Sequence, residues 1–273
     1  MSEPTLYHFH LSYAAQVARL GLVEKGMTYK SFSLNLFEGE HYKPWYMEIN
    51  PDGVVPTLVH GDKTIAGSLN IVRYAEAHGP GASLIPEDDA LKAVMEEWIQ
   101  KQQAVPEREV TYALMPGKQG ESVRSGFPDR IKILEKFRKK NPQLADVYNR
   151  KIEDLKQWEK DCNDPATVQS MEADLDALLD AFNEHMADKE WVVGDFYSLA
   201  DVVWTVLTAR MFMMGLGKKV KSRPNVLAYL ERVKARPSFA QTPVYDRVDK
   251  KVAAPLFLRA KLPFLRLFIG IKR

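Results

Sequence analysis

Apolar and polar positions alternate along residues 5–10, Thr-Leu-Tyr-His-Phe-His, with the two-residue period of a strand. From Tyr13 to Lys25 the period lengthens. Ala14, Val17, Leu20 and Leu22-Val23 fall at helical spacing, and Gly26 follows as a stop. Residues 28–34 alternate again as a second strand. Strand, helix and strand within roughly thirty residues make a βαβ unit, whose crossover is right-handed by rule. The segment 36–50 is polar with aromatics and closes on the turn signal Asn50-Pro51-Asp52-Gly53. Residues 54–60, Val-Val-Pro-Thr-Leu-Val-His, are the apolar, β-branched run of a third strand. Gly61-Asp62 is a hairpin turn, Lys63 to Ala66 a fourth strand, and Ser68 to Ala77 a helix that stops at Gly79-Pro80.

After Pro86 the grammar changes to long helical segments, predicted at 88–113, 128–160, 164–187, 198–214 and 223–235. Met115-Pro116-Gly117, Asn141-Pro142, Asp164-Pro165 and Arg236-Pro237 mark breaks. The expected organisation is an α/β domain over 1–80, a linker near Gly79-Pro80-Gly81-Ala82-Ser83, an all-α domain over 86–245, and a tail over 246–273.

Composition narrows the classes. A chain of 273 residues, 45% hydrophobic and 27% charged, is an ordinary globular protein long enough to bury a core. A formal charge of +2 implies no global pull on nucleic acid. The lone Cys162 excludes an internal disulfide and a cysteine-based metal cluster, which fits a reducing, cytoplasmic setting. Met1-Ser2-Glu3-Pro4 lacks the basic start and apolar core of a secretory signal, and no apolar run is long enough to span a bilayer.

Two positions in the first domain carry candidate chemistry. Pro56 sits inside a good strand sequence, where it removes a ladder donor. The plain reading is a proline at a sheet edge. The sharper reading is a cis bond that turns the Val55 N–H and C=O outward, to pair with a peptide-like ligand as an added strand would. Ser68 follows Gly67 at the start of a helix whose apolar face is Leu69, Ile71 and Val72. A hydroxyl there either caps its own helix or, with the unpaired N–H groups, holds a carboxylate. Together these two features suit a small acidic peptide.

At this point the sequence resembles the glutathione transferases, over about residues 5–245. "GEHYKPWYMEINPDGVVP" looks like the phi and theta classes, where Gly-x-His, Asn-Pro and Val-Pro occur at this spacing. "GDFYSLADVVWTVLTAR" (194–210) is similar to the family's N-terminal helix box. There Ser198 is a good N-cap and Asp201 stands where a carboxylate can return a bond to it, a structural pair. The segment 128–190 most resembles the tetrachlorohydroquinone dehalogenase group and its plant relatives. The resemblance implies a thioredoxin-like amino-terminal domain, an all-helical second domain, a homodimer, and glutathione as co-substrate with no metal. It implies that His41 reaches the glycine carboxylate of glutathione, that Val55 pairs with the cysteinyl backbone, and that Ser68 holds the γ-glutamyl carboxylate. Pro56 and Gly67 complete that set.

The nucleophile of such an enzyme is the glutathione thiolate. A thiol of pKa about 8.5 is mostly protonated at neutral pH. Lowering it by about two units needs about 2.7 kcal/mol, within the means of a hydroxyl donor near a helix N-terminus. The residues between the first strand and first helix are His10-Leu11-Ser12-Tyr13-Ala14-Ala15. Ser12 lies where the theta, zeta and dehalogenase members place a Ser and is the expected catalytic residue; from the residues alone, a helix cap is the commoner role. Tyr13 and Tyr7 are alternative donors, and His10 reads as a loop residue. Tyr13, Tyr112, Met115 and Trp204 are candidate liners of the acceptor pocket, although each residue type is more often plain core.

The chain departs from the family pattern at three positions. Ala14 stands where the dehalogenases carry the Cys that resolves a mixed disulfide, so reductive dehalogenation of their type is not expected. Gly67 stands where many members have an acid that helps bind the γ-glutamyl amine. Val54 replaces a side-chain donor. Residues 252–273 are apolar and basic with no acidic residue. Read plainly they fill a groove, and more sharply they contact anionic membrane peripherally. Two function classes follow: a transferase attacking a small hydrophobic electrophile, or a non-catalytic protein of the same fold that binds ligands or membrane.

Overall fold

The computed structural model describes residues 3–242, so the tail over 246–273 and the membrane contact read from 252–273 lie outside the described residues. The chain divides into two compact units. Among the described residues, one holds 3–33, 55–106 and 173–242; the other holds 34–54 and 107–172.

The first unit opens with strand β1 (Thr5–His8), helix α1 (Tyr13–Glu24) and strand β2 (Lys30–Ser33). Strands β3 (Thr57–His60) and β4 (Lys63–Ala66) follow as a hairpin, then helix α3 (Ser68–His78). The sheet order is β2-β1-β3-β4. β1 runs parallel to β2 and antiparallel to β3, and β3 runs antiparallel to β4. This is the predicted thioredoxin-like arrangement. The third strand is shorter than the run 54–60. Pairing starts at Thr57, opposite Tyr7 and Ala66, because Pro56 has no N–H to give a ladder.

Leu6, Leu58, Ala18, Leu22, Ile71 and Ala75 form the core beneath the sheet, with α1 packed on α3. The two helices approach closely at Gly21, where an added Cβ would lie 2.5 Å from a Val72 methyl. The rest of this unit is helical: α4 (Asp89–Gln103), most of α9 (Pro165–His185), α10 (Leu199–Met213), α11 (Gly217–Lys221), α12 (Pro224–Lys234) and α13 (Pro237–Gln241). Every residue from Leu199 to Met211 is buried, so α10 is a central helix, apolar on all sides.

In the second unit, residues 36–50 contain two short 3₁₀ turns and helix α2 (Pro44–Ile49), which the polar pattern concealed. Pro44 at its first turn suits a helix start. Helices α5 (Glu107–Leu114), α6 (Gly117–Arg124), α7 (Phe127–Lys140) and α8 (Ala145–Asn163) complete it. The predicted helix 88–113 is two, α4 and α5. Pro106 disfavours helical backbone at Val105 and cannot donate back to the preceding turn. The predicted 128–160 divides at Asn141-Pro142, one of the marked breaks. The core of this unit is Tyr42, Phe127, Leu134, Tyr148, Ile152 and Trp158 among others, and the Tyr148 hydroxyl donates to the Tyr42 carbonyl at 2.8 Å. No helix among the described residues is long and apolar enough to cross a membrane.

Candidate functional site

Strand register brings three stretches of the first unit to one end of the sheet. Tyr7 lies opposite Thr57, so the loop after β1 leaves the sheet where β3 begins, beside Val55-Pro56. Thr57 also lies opposite Ala66, so Gly67 and Ser68 emerge at that same end. The Gly67 N–H donates to the Pro56 carbonyl at 3.2 Å and ties the last two stretches together.

Ser12 is the N-cap of α1. Its backbone is extended, and its hydroxyl oxygen accepts from the Ala15 N–H at 3.3 Å. A hydroxyl that accepts one bond still has its proton to donate, so capping and holding a second group are compatible. Ser12, Tyr13 and Ala14 are all half-buried. The Tyr13 phenol donates to the Val203 carbonyl at 3.3 Å. Tyr7 lies in β1 with its ring 5.1 Å from that of Phe32.

The Val55–Pro56 bond is cis. Among the described residues neither the Val55 N–H nor its C=O has a hydrogen-bond partner. The preceding carbonyl, that of Val54, accepts from the Tyr46 hydroxyl and from the Asn50 side chain at 3.0 Å. Asn50 also receives the Asp52 N–H on its side-chain oxygen, an Asx turn. Helix α3 has no side-chain cap, and the N–H groups of Ser68, Leu69 and Asn70 have no partner among the described residues. Those donors and the helix dipole favour an anion there. Gly67 has φ +86°, a conformation that favours glycine, and a Cβ there would meet only the Asn70 side chain at 3.7 Å.

A buried polar network lies behind the Ser12 loop. Arg19 donates to the Nδ1 of His8 at 3.1 Å and to the His10 carbonyl at 3.2 Å. Arginine has only donors, so His8 Nδ1 accepts, and its Nε2–H donates to the Ser31 hydroxyl at 2.7 Å. Burial first, then the Arg19 guanidinium and the neighbouring His10 ring, push His8 down to about 3. His10 is lowered by the same burial and by Arg19. Both imidazoles are therefore neutral at physiological pH. Arg210 of α10 donates to the Leu11 carbonyl at 2.7 Å.

The remaining candidates belong to the second unit or to packed cores. His41 belongs to the second unit, 8% exposed, its ring 3.7 Å from that of Tyr42. Burial, with Lys151 and Arg130 nearby, lowers it to about 3, so it offers a ring N–H but no charge. Tyr112, also in that unit, packs against Trp158 at 4.3 Å with the Arg130 guanidinium 5.0 Å above its ring. Met115 is 4% exposed, and its carbonyl, with those of Tyr112 and Ala113, accepts from Arg124. Trp204, in the first unit, departs from the sequence expectation of a pocket liner. It is wholly buried, stacked on Phe182 at 3.7 Å, and its indole N–H donates to the Trp98 carbonyl at 3.0 Å. Ser198 and Asp201 form the expected structural pair. The Ser198 N–H and hydroxyl both donate to one Asp201 oxygen, at 2.8 and 2.9 Å.

Sequence reasoning missed Arg19, Arg210 and Tyr46, and read Asn50 only as a turn residue. Arg19 left one legible signal, a cation three residues from Gln16 on a helix whose whole middle is buried.

Residues 6–83 match the family model described as glutathione S-transferase, N-terminal domain, and residues 159–237 match its C-terminal domain. The chain is 34% identical over 240 residues to the tetrachloro-p-hydroquinone reductive dehalogenase of Sphingobium chlorophenolicum, covering 88% of this chain and 95% of that one. It is 28% identical to the glutathione S-transferase TCHQD of Arabidopsis thaliana, covering 86% of this chain and 87% of that one. The crystal structure of glutathione transferase F7 from Populus trichocarpa shares the fold, with a TM-score of 0.65 at 21% identity over 90% of this chain and all of that one. The chain belongs to the glutathione S-transferase family.

Proposed function

We propose that this protein binds glutathione at the sheet end of its first unit and activates the thiol for attack on a small hydrophobic electrophile. The observation that carries the reading is the unpaired Val55 N–H and C=O, set by register beside the Ser12 cap and the uncapped start of α3. Val55 supplies a donor and an acceptor for the cysteinyl backbone, as an added strand does. Ser68 and the open N–H groups of α3 receive the γ-glutamyl carboxylate. Ser12 then donates its hydroxyl proton in a hydrogen bond to the sulfur. The α1 N-terminus adds its dipole, and both effects favour thiolate over thiol. Pro56 and Gly67 shape the two backbone contacts. The protein acts as a homodimer, with residues 1–80 as the glutathione domain and 86–245 as the acceptor domain. Tyr13 is the proposed acceptor contact of the first unit.

The test is an ultraviolet titration of the bound glutathione thiol in wild type and Ser12→Ala. Wild type is expected to lower the thiol pKa by about two units, and Ser12→Ala to lose most of that shift. A thiol that ionises as it does in water when bound to wild type would overturn the reading in favour of non-catalytic binding. A conjugation screen of aryl halides, quinones, peroxides and glutathionyl-hydroquinones then identifies the electrophile.

A further inference from the structure

Resting on the reading of Ser12 just given, we propose that Arg19 and Arg210 are positioning residues for the thiol site, each gripping one carbonyl of the loop that carries Ser12. Arg19, from α1, donates to the His10 carbonyl at 3.2 Å, and Gln16 donates to the same oxygen at 3.4 Å. Arg210, from α10, donates to the Leu11 carbonyl at 2.7 Å. The Leu11–Ser12 peptide is held at both ends, since the Ser12 N–H donates to the Phe9 carbonyl at 3.1 Å. Fixing two successive peptide planes fixes the direction of the Ser12 Cα–Cβ bond, and with it the path of the hydroxyl.

The guanidinium groups also act electrostatically. Arg19 is 3% exposed and Arg210 7% exposed, so water screens their charges weakly. A carbonyl dipole aimed at a developing thiolate opposes it. Drawing both carbonyls onto cations turns that part of the loop from opposing to supporting. His8, neutral and donating to Ser31, keeps Arg19 in line and adds no charge. A purely structural role, pinning α1 against α10, predicts loss of stability without any change in thiol ionisation.

The experiment measures the bound glutathione thiol pKa and the pH profile of kcat/KM in wild type, Ser12→Ala, Arg19→Met, Arg210→Met and Arg210→Lys. The expected result is a rise of roughly half a unit to one unit in each Met variant, with the acid limb of the profile moving by the same amount and Arg210→Lys regaining at least half of it. An unchanged thiol pKa in folded Arg210→Met, with Ser12→Ala raising it, overturns this inference and leaves the Ser12 reading intact. A wild type that does not lower the thiol pKa overturns both. If Arg210→Met does not fold by circular dichroism, Arg19→Met carries the same test, and an unshifted thiol pKa in that folded variant overturns the proposal.

Discussion

The Ser12 hydroxyl oxygen accepts the Ala15 N–H at 3.3 Å while its own proton stays available to a ligand. On the proposed reading the same hydroxyl also donates to the glutathione sulfur, and a carboxylate separates that role from capping. Aspartate caps a helix as well as serine does but repels a thiolate. Ser12→Asp is expected to unfold in urea within about 0.5 kcal/mol of wild type while losing conjugation rate by on the order of 100-fold. Ser12→Ala is expected to lose about 1 kcal/mol and activity together. Activity surviving in Ser12→Asp would sink the catalytic assignment.

Asp201 gathers three buried donors, the Ser198 N–H, the Ser198 hydroxyl and the Val192 N–H. Removing the carboxylate strands all three. Asp201→Ala is expected to cost about 3–5 kcal/mol, read from the urea midpoint at unchanged slope. A loss below 1 kcal/mol, by the ordinary scale of a surface change, would contradict this account.

His8 gives the fold an acid limit. Its folded pKa is about 3 against an ordinary 6.5, so between those values the unfolded chain binds more protons. Its contribution is fully present above pH 6.5 and is lost as the pH falls toward 3. His41 acts in the same direction over the same window. His8→Gln offers Arg19 an acceptor and Ser31 a donor without a titrating proton. Its stability is expected to fall less steeply with acid across that window, measured by urea unfolding at successive pH values.

Gly67 holds φ +86°, and a Cβ there would make only an ordinary contact with the Asn70 side chain at 3.7 Å. The cost of a side chain there is conformational, not steric. Gly67→Ala is expected to lose about 1–3 kcal/mol in urea unfolding. A neutral result would mean that the backbone relaxes to a conformation alanine accepts.

Much of the first unit was legible because its signals are local. The hairpin at Gly61-Asp62, the start of α3 at Ser68 and the pair Ser198–Asp201 each rest on residues within a few positions of one another. Pro56 was legible as a disturbance, and pairing does begin just after it. Helix α2 was hidden by its short length and mixed polarity, and the break at Pro106 by the helical composition on either side. The grip of Arg210 on Leu11 joins residues 199 positions apart through a backbone oxygen. Such a contact leaves no periodic trace in either segment. Trp204 misled because an indole suits a core as well as a pocket, and only its burial on Phe182 and Trp98 decides between them.

The unpaired groups at Val55 are peptide atoms, which nearly every amino acid carries. Selection at such a position acts on the course of the main chain and leaves the side chain open to drift. Recognition built this way survives extensive turnover of letters. On the proposed reading the Val55 contact needs only the chain path through the site, so it tolerates divergence as wide as that between this chain and a relative sharing 34% of aligned residues.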